Sequence, residues 1–184
     1  MNGPPGLQVG TVLPVNRICC AGRCAGAARI ASMPDNPRST ARVGGHPVHP
    51  MLVPIPIACF VGTFFSDLVY WRTANMMWAN VSAWMLTVGL VASIFVVVAG
   101  VTDFFGDRRL RALRSAWVHA IGNGVVLALS ILNAFVHSRD AYTSVVPLGL
   151  TLSTLVVMIL LVTGWNGWEM VYRHGVGVAS EDRS

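Results

Sequence analysis

Five histidines, four cysteines and eight carboxylates carry whatever ligand, acid–base or redox chemistry this 184-residue chain can perform. Neutral imidazole is the commonest protein ligand for transition metals and a standard axial ligand for haem iron. His46 and His49 stand together in His-Pro-Val-His-Pro, His119 lies inside an apolar run with Asn123 four residues on, and His174 falls in Tyr-Arg-His-Gly near the end. Asp67 interrupts another apolar run, and Asp103 closes a third. Haem b would take two imidazoles from different segments, His119 opposite His49 first, with His46 and His174 as alternates. A zinc or copper site would instead need three or four of His46, His49, His119, His174 and Asp103 around one ion. Asp103 otherwise serves as an outer partner that orients an imidazole. The chain has no HExxH, CxxCH or P-loop pattern, which excludes the hydrolases, covalent c-type haems and nucleotide-driven machines that use them. Cys19, Cys20 and Cys24 follow a CCxxxC spacing that matches no common zinc or iron–sulfur site, and Cys59 reads as a small buried hydrophobe.

Composition dictates the elements that must position these residues. Hydrophobic residues make up 54% of the chain and charged residues 11%, against about 25% charged in soluble domains. So few charges cannot cover a soluble surface, and the chain reads as an integral membrane protein. Four windows have the length and apolarity of spans: residues 51–71, 81–101, 116–136 and 145–165. Each rises about 31 Å as a helix, close to the ~30 Å hydrocarbon core. Backbone polar groups in lipid must be satisfied within the segment, so the windows predict helices rather than strands. Pro54, Pro56 and Pro147 fall in expected first turns, where a missing N–H costs little. All six tryptophans lie near window ends, as interfacial belts require. The fold class is all-α, a four-helix membrane bundle spanning residues 44–178, followed by a polar tail at 179–184.

All 13 cations are arginine. An even number of spans puts both termini and the central loop on one side, with eleven arginines there against Arg72 and Arg139 opposite. The positive-inside rule then places both termini in the cytoplasm of a bacterial inner-membrane protein. The net charge of +5 is thereby explained by topology and anionic lipid, without nucleic acid. Residues 1–43 are rich in Gly, Pro, Arg and Ala, lack a signal-peptide core, and are expected to be disordered, with Met33 as an alternative start.

This topology gathers four of the five histidines, Asp103 and Glu169 at the cytoplasmic end, leaving His137 and Asp67 at the other. A carboxylate just past a helix C-terminus opposes the helix dipole, so Asp103 is expected to face a cation: Arg108, Arg109 or Arg114, a protonated histidine or a bound ion. Asp67 is expected to pair with Arg72, with a proton-relay role as the alternative. Three functions follow: a redox-associated subunit holding haem b or a metal through the histidine cluster; a structural or assembly protein without cofactor; and a proton-coupled carrier using Asp67 and His119. Whether the chain is an enzyme is left open. The lipid bilayer, an iron–sulfur or cytochrome redox partner and a second copy of the chain are the candidate partners.

The stretch from Gly45 through His-Pro-Val-His-Pro to Ile57, then Asp67, the Gly-Val-Thr-Asp ending at Asp103, residues 114–119, and the closing Tyr-Arg-His-Gly-Val-Gly-Val at 172–178 together resemble the bacterial membrane family called domain of unknown function 2231. The resemblance covers about residues 44–178. It implies a four-helix integral membrane protein without an established activity. Some relatives are joined to Rieske-type iron–sulfur domains, which favours the redox reading; this chain's cysteines do not supply a Rieske ligand set.

Overall fold

The computed structural model describes residues 39–44, 46–139 and 145–177, all within one compact unit that begins at residue 36. The expectations for residues 1–38, including the cysteine trio and the Met33 start, lie outside the described residues, as does the tail at 179–184. Residues 39–43, assigned above to the tail, are held against the bundle. Arg42–Val43 (β1) pairs antiparallel with His46–Pro47 (β2), and the amide of Val48 donates to the Ala41 carbonyl at 3.0 Å.

Four segments are long and apolar enough to cross a membrane: Val48–Thr73, Met76–Gly106, Arg114–Arg139 and Val145–His174. The first is two helices, Val48–Leu52 (α1) and Pro54–Thr73 (α2). The span starts before the expected window, with α1, and Pro54 and Pro56 fall in the first turn of α2 as expected. They cannot donate to the carbonyls four residues back, which divides α1 from α2 at Val53, although Val53 itself keeps helical dihedrals (φ −51, ψ −38). α2 ends where Ala74 takes a left-handed conformation (φ 51) and its amide caps the Tyr70 carbonyl at 2.8 Å. One residue later the Asn75 side chain accepts from Met77 and starts Met76–Gly106 (α3). So short a turn makes α2 and α3 antiparallel neighbours.

α3 has 31 residues and rises about 46 Å, well beyond the hydrocarbon core. A short helix, Arg108–Ala112 (α4), capped by Asp107, leads into Arg114–Arg139 (α5). The last span opens with a wide turn at Val145–Gly149, kinked at Val146, and continues as Leu150–His174 (α6). α6 runs nine residues past the expected window because nothing breaks it before Gly175 (φ 62).

α2 packs chiefly on α3 and α5 on α6, with the two pairs in contact. The bundle is apolar outside and polar within. Phe65, Phe95, Val98, Phe135 and Leu161 are exposed, while Thr63, Asp67, Ser82, Ser130, Asn133 and Ser153 are among the most deeply buried side chains. Lipid tails are as apolar as leucine, so burial of apolar surface does not order such a bundle; small and polar residues fill the interior and let helices approach. At Gly89 an added Cβ would lie 2.8 Å from the Phe60 ring and 3.0 Å from Cys59, which fixes the close approach of α2 and α3.

Candidate functional site

Two polar centres lie inside the bundle, separated along the helices by the apolar cluster of Phe60, Leu86, Val126, Val156 and Leu160. The first is at the arginine-rich end. α1 is in contact with α3, where His49 Nδ1 bonds the Val96 carbonyl at 3.0 Å. His119, about one and a half turns into α5, bonds the Thr163 carbonyl of α6 through Nδ1 at 2.9 Å. A carbonyl only accepts, so each Nδ1 carries a hydrogen, and in the neutral ring Nε2 then keeps a lone pair, the tautomer of a ligating histidine. The two rings are edge-on neighbours, with centroids 6.3 Å apart and planes at 76°. Glycine makes room for both: a Cβ on Gly100 would meet the His49 ring at 2.8 Å, and one on Gly167 would meet the His119 ring at 3.2 Å.

The remaining residues expected at this end are less closely gathered. Asn123 donates to the His119 carbonyl at 2.8 Å and so continues the polar stripe of α5. His46 is exposed in β2, and His174 is half-buried in the last turn of α6. The two sequence motifs do meet, since Gly177 lies against the Pro47 ring. Glu169 is taken by Arg173 in an ion pair of 2.7 Å. Among the described residues no three His, Cys, Asp or Glu side chains are grouped to hold a metal ion. At Asp103 the donors shown are amides and a hydroxyl: Oδ1 accepts from Thr40 N at 2.6 Å, Ala41 N at 2.7 Å and Ser39 Oγ at 2.9 Å. Those donors relieve the helix-end repulsion for which an arginine, a protonated histidine or a bound ion was expected, because residues 39–41 reach back over the end of α3.

The second centre is at the opposite end, where the sequence placed Asp67 and His137 and where Asp67 was expected to pair with Arg72, with a proton relay as the alternative. Arg72 lies instead over the Trp71 ring. Asp67 is fully buried; its Oδ1 is 3.0 Å from His137 Nε2, and its Oδ2 accepts from Ser153 Oγ at 2.8 Å. His137 Nδ1 bonds the Asn133 carbonyl one turn earlier at 3.0 Å. Serine, histidine and aspartate meet here in the wrong order for a nucleophilic triad, since both partners bond the carboxylate and Ser153 does not face the imidazole. The signal missed in the sequence is the stripe Ser130, Asn133 and His137, spaced by three and four on α5, which puts polar groups on one helix face. Ending the third window at residue 136 left His137 outside it.

A family model described as "Predicted membrane protein (DUF2231)" matches residues 45–180. The chain belongs to this family. The match covers both centres and stops short of the N-terminal tail. No curated protein and no solved structure matches the chain. Family membership thus gives a membrane protein of four apolar helices and no activity.

Proposed function

We propose that this family member is a redox-associated subunit of the bacterial inner membrane in which His49 and His119 bind haem b or a transition metal. The observation that supports it is the imidazole pair. A metal–nitrogen bond of about 2.0–2.1 Å puts a ring centre about 3 Å from the metal, so two imidazoles stand about 5 Å apart at tetrahedral positions and about 6 Å apart on opposite faces of a haem. The centroid separation of 6.3 Å is of the second kind. Both rings already carry their hydrogen on Nδ1 and are oriented by carbonyls. With no third protein ligand grouped beside them among the described residues, the donor set suits haem, whose macrocycle brings its own four nitrogens, better than a closed zinc site. Bound there, the group would supply single-electron exchange with an iron–sulfur or cytochrome partner. His46, His174 and Asp103 are alternates that would have to move to contribute. The orientation with both termini cytoplasmic, and self-association in the bilayer, belong to the same reading.

The same hydrogen bonds favour one rival. His49 joins α1 to α3 and His119 joins α5 to α6, the work of a purely structural or assembly protein. The spectrum of protein purified in mild detergent from haem-replete cells, oxidised and dithionite-reduced, with elemental analysis of the same sample, separates the two. A Soret band with reduced α and β bands, or a stoichiometric metal, lost in His49→Ala and His119→Ala, is the expected result. A colourless, metal-free protein removes the cofactor and leaves the ties.

A further inference from the structure

The centre around Asp67 is built differently from a static tie. His137 Nδ1 must carry a hydrogen, because its partner at 3.0 Å is the Asn133 carbonyl. A neutral imidazole of that tautomer presents a lone pair at Nε2, and an ionised carboxylate presents only lone pairs. The 3.0 Å contact between Nε2 and Asp67 Oδ1 therefore holds one further proton, on the nitrogen or on the oxygen. Either way the pair is net neutral, which makes its full burial tolerable. Ser153 Oγ reaches both Asp67 Oδ2 at 2.8 Å and the Leu150 carbonyl at 3.1 Å. With a single hydrogen it donates to one at a time, and when it turns to Leu150 it can accept from a protonated Oδ2. That gives the proton a way on and off the carboxyl group.

A second observation points the same way. Ser82 Oγ, Ser130 Oγ and both amide atoms of Asn133 are buried without a hydrogen-bond partner among the described residues. Such groups are rare in folded proteins and expensive in lipid. Ser130, Asn133 and Ser153 line one narrow gap with Thr63, closed by apolar side chains. Ser153, which bonds Asp67, lines the same gap as the uncommitted Ser130 hydroxyl and Asn133 amide, so a turn of these side chains could offer a deprotonated Asp67 replacement hydrogen bonds. A fixed tie has no use for them.

The centre lies nearer one end of the bundle. Phe60, Leu86, Val126, Val156 and Leu160 stand between it and the imidazole pair, whereas His137 is two residues from the helix end at Arg139, behind the smaller cluster of Tyr70, Ala79 and Val145. We propose that Asp67, His137 and Ser153 form a proton-binding site inside the membrane, loaded from the side bearing Arg72 and Arg139 and closed toward the other side. Ser153 from α6 and Asn133 from α5 bond the pair, Tyr70 on α2 and Ser82 on α3 are buried polar residues of the neighbouring helices, and Arg72 and Arg139 are exposed at helix ends. The balance is simple: the shared proton leaves to water on that side, leaving Asp67 ionised and His137 neutral, and returns by the same route. This proposal is independent of any cofactor at the other end.

Infrared difference spectra of the full chain in lipid, recorded between buffers and on transfer to heavy water, test it together with ¹⁵N-histidine spectra assigned through His137→Asn. A carboxyl signal and the His137 signal that change together with pH, exchange in heavy water and vanish in Asp67→Asn are expected. In vesicles with the protein inserted one way, a pH step on the Arg72 side alone should elicit them. The wild-type spectra decide even where a variant fails to fold. Signals that stay unchanged across about pH 5–8 and beyond, with no exchange into heavy water, would make the pair a static tie and overturn the proposal. An equal response from both sides would overturn the one-sided access.

Discussion

Removing His137 should destabilise this bundle far more than removing Ser153, although each supplies one hydrogen bond to the same carboxylate. Asp67 is fully buried, with His137 on one oxygen and Ser153 on the other. His137→Ala deletes the partner that neutralises it, and breaking a buried pair from one side costs about 3–5 kcal/mol because an uncompensated group remains. Ser153→Ala deletes a neutral donor. Interhelical hydrogen bonds in membranes average about 0.6 kcal/mol and reach about 1.7, so that variant should lose no more than this. Replacing both Asp67 and His137 with leucine removes the uncompensated group and should recover most of the loss, since well-packed apolar residues often substitute for a buried pair at little cost. Reversible unfolding in mixed detergent micelles, followed by tryptophan fluorescence, measures all three. If His137→Ala and Ser153→Ala differed by less than about 1 kcal/mol, or the double variant were as unstable as His137→Ala, the reasoning from a neutral, mutually dependent pair would be refuted.

Other expectations follow from named contacts. Gly89→Ala drives a Cβ to 2.8 Å from the Phe60 ring and should cost about 1–3 kcal/mol by overpacking, whereas Gly124→Ala meets nothing within 4 Å and should be neutral or slightly stabilising; the same unfolding assay separates them. Asp103→Ala removes the acceptor of the Thr40 and Ala41 amides. A hydrogen bond to a charged group is worth about 1.5–3 kcal/mol, so exchange of those two amides should accelerate about 10- to 100-fold in hydrogen–deuterium exchange, with the spans unaffected. A phosphatase reporter, active only outside the cytoplasm, should be active when fused after Ala74 and inactive when fused after Arg111; the reverse pattern would invert the orientation drawn from the arginines.

The sequence alone was enough for the spans, because lipid forces every backbone group into a helix and forbids charge over some twenty residues. Those constraints act locally and can be read from a window. Boundaries were less legible. Helices ran on past the apolar windows until Gly106 and Gly175, since nothing in Thr102–Phe105 or Asn166–His174 breaks a helix in the interface. Gathering His49 and His119 at one end also followed from topology, although their contact depends on the absence of a Cβ at Gly100 and Gly167.

Partners were decided only in three dimensions. Asp103 was matched to a cation, whether arginine, histidine or bound ion, because charge is what a sequence displays, but a carboxylate takes whichever donors the chain brings within 3 Å, and the backbone of Thr40 and Ala41 does so. Asp67 likewise lay near Arg72 in the chain, yet α2 turns its carboxylate inward and Arg72 outward, to partners 70 and 86 residues away. Hydropathy says that a polar residue in a span must face inward. Which other polar residue meets it depends on how four helices are rotated against one another, and that is set by packing along their whole length.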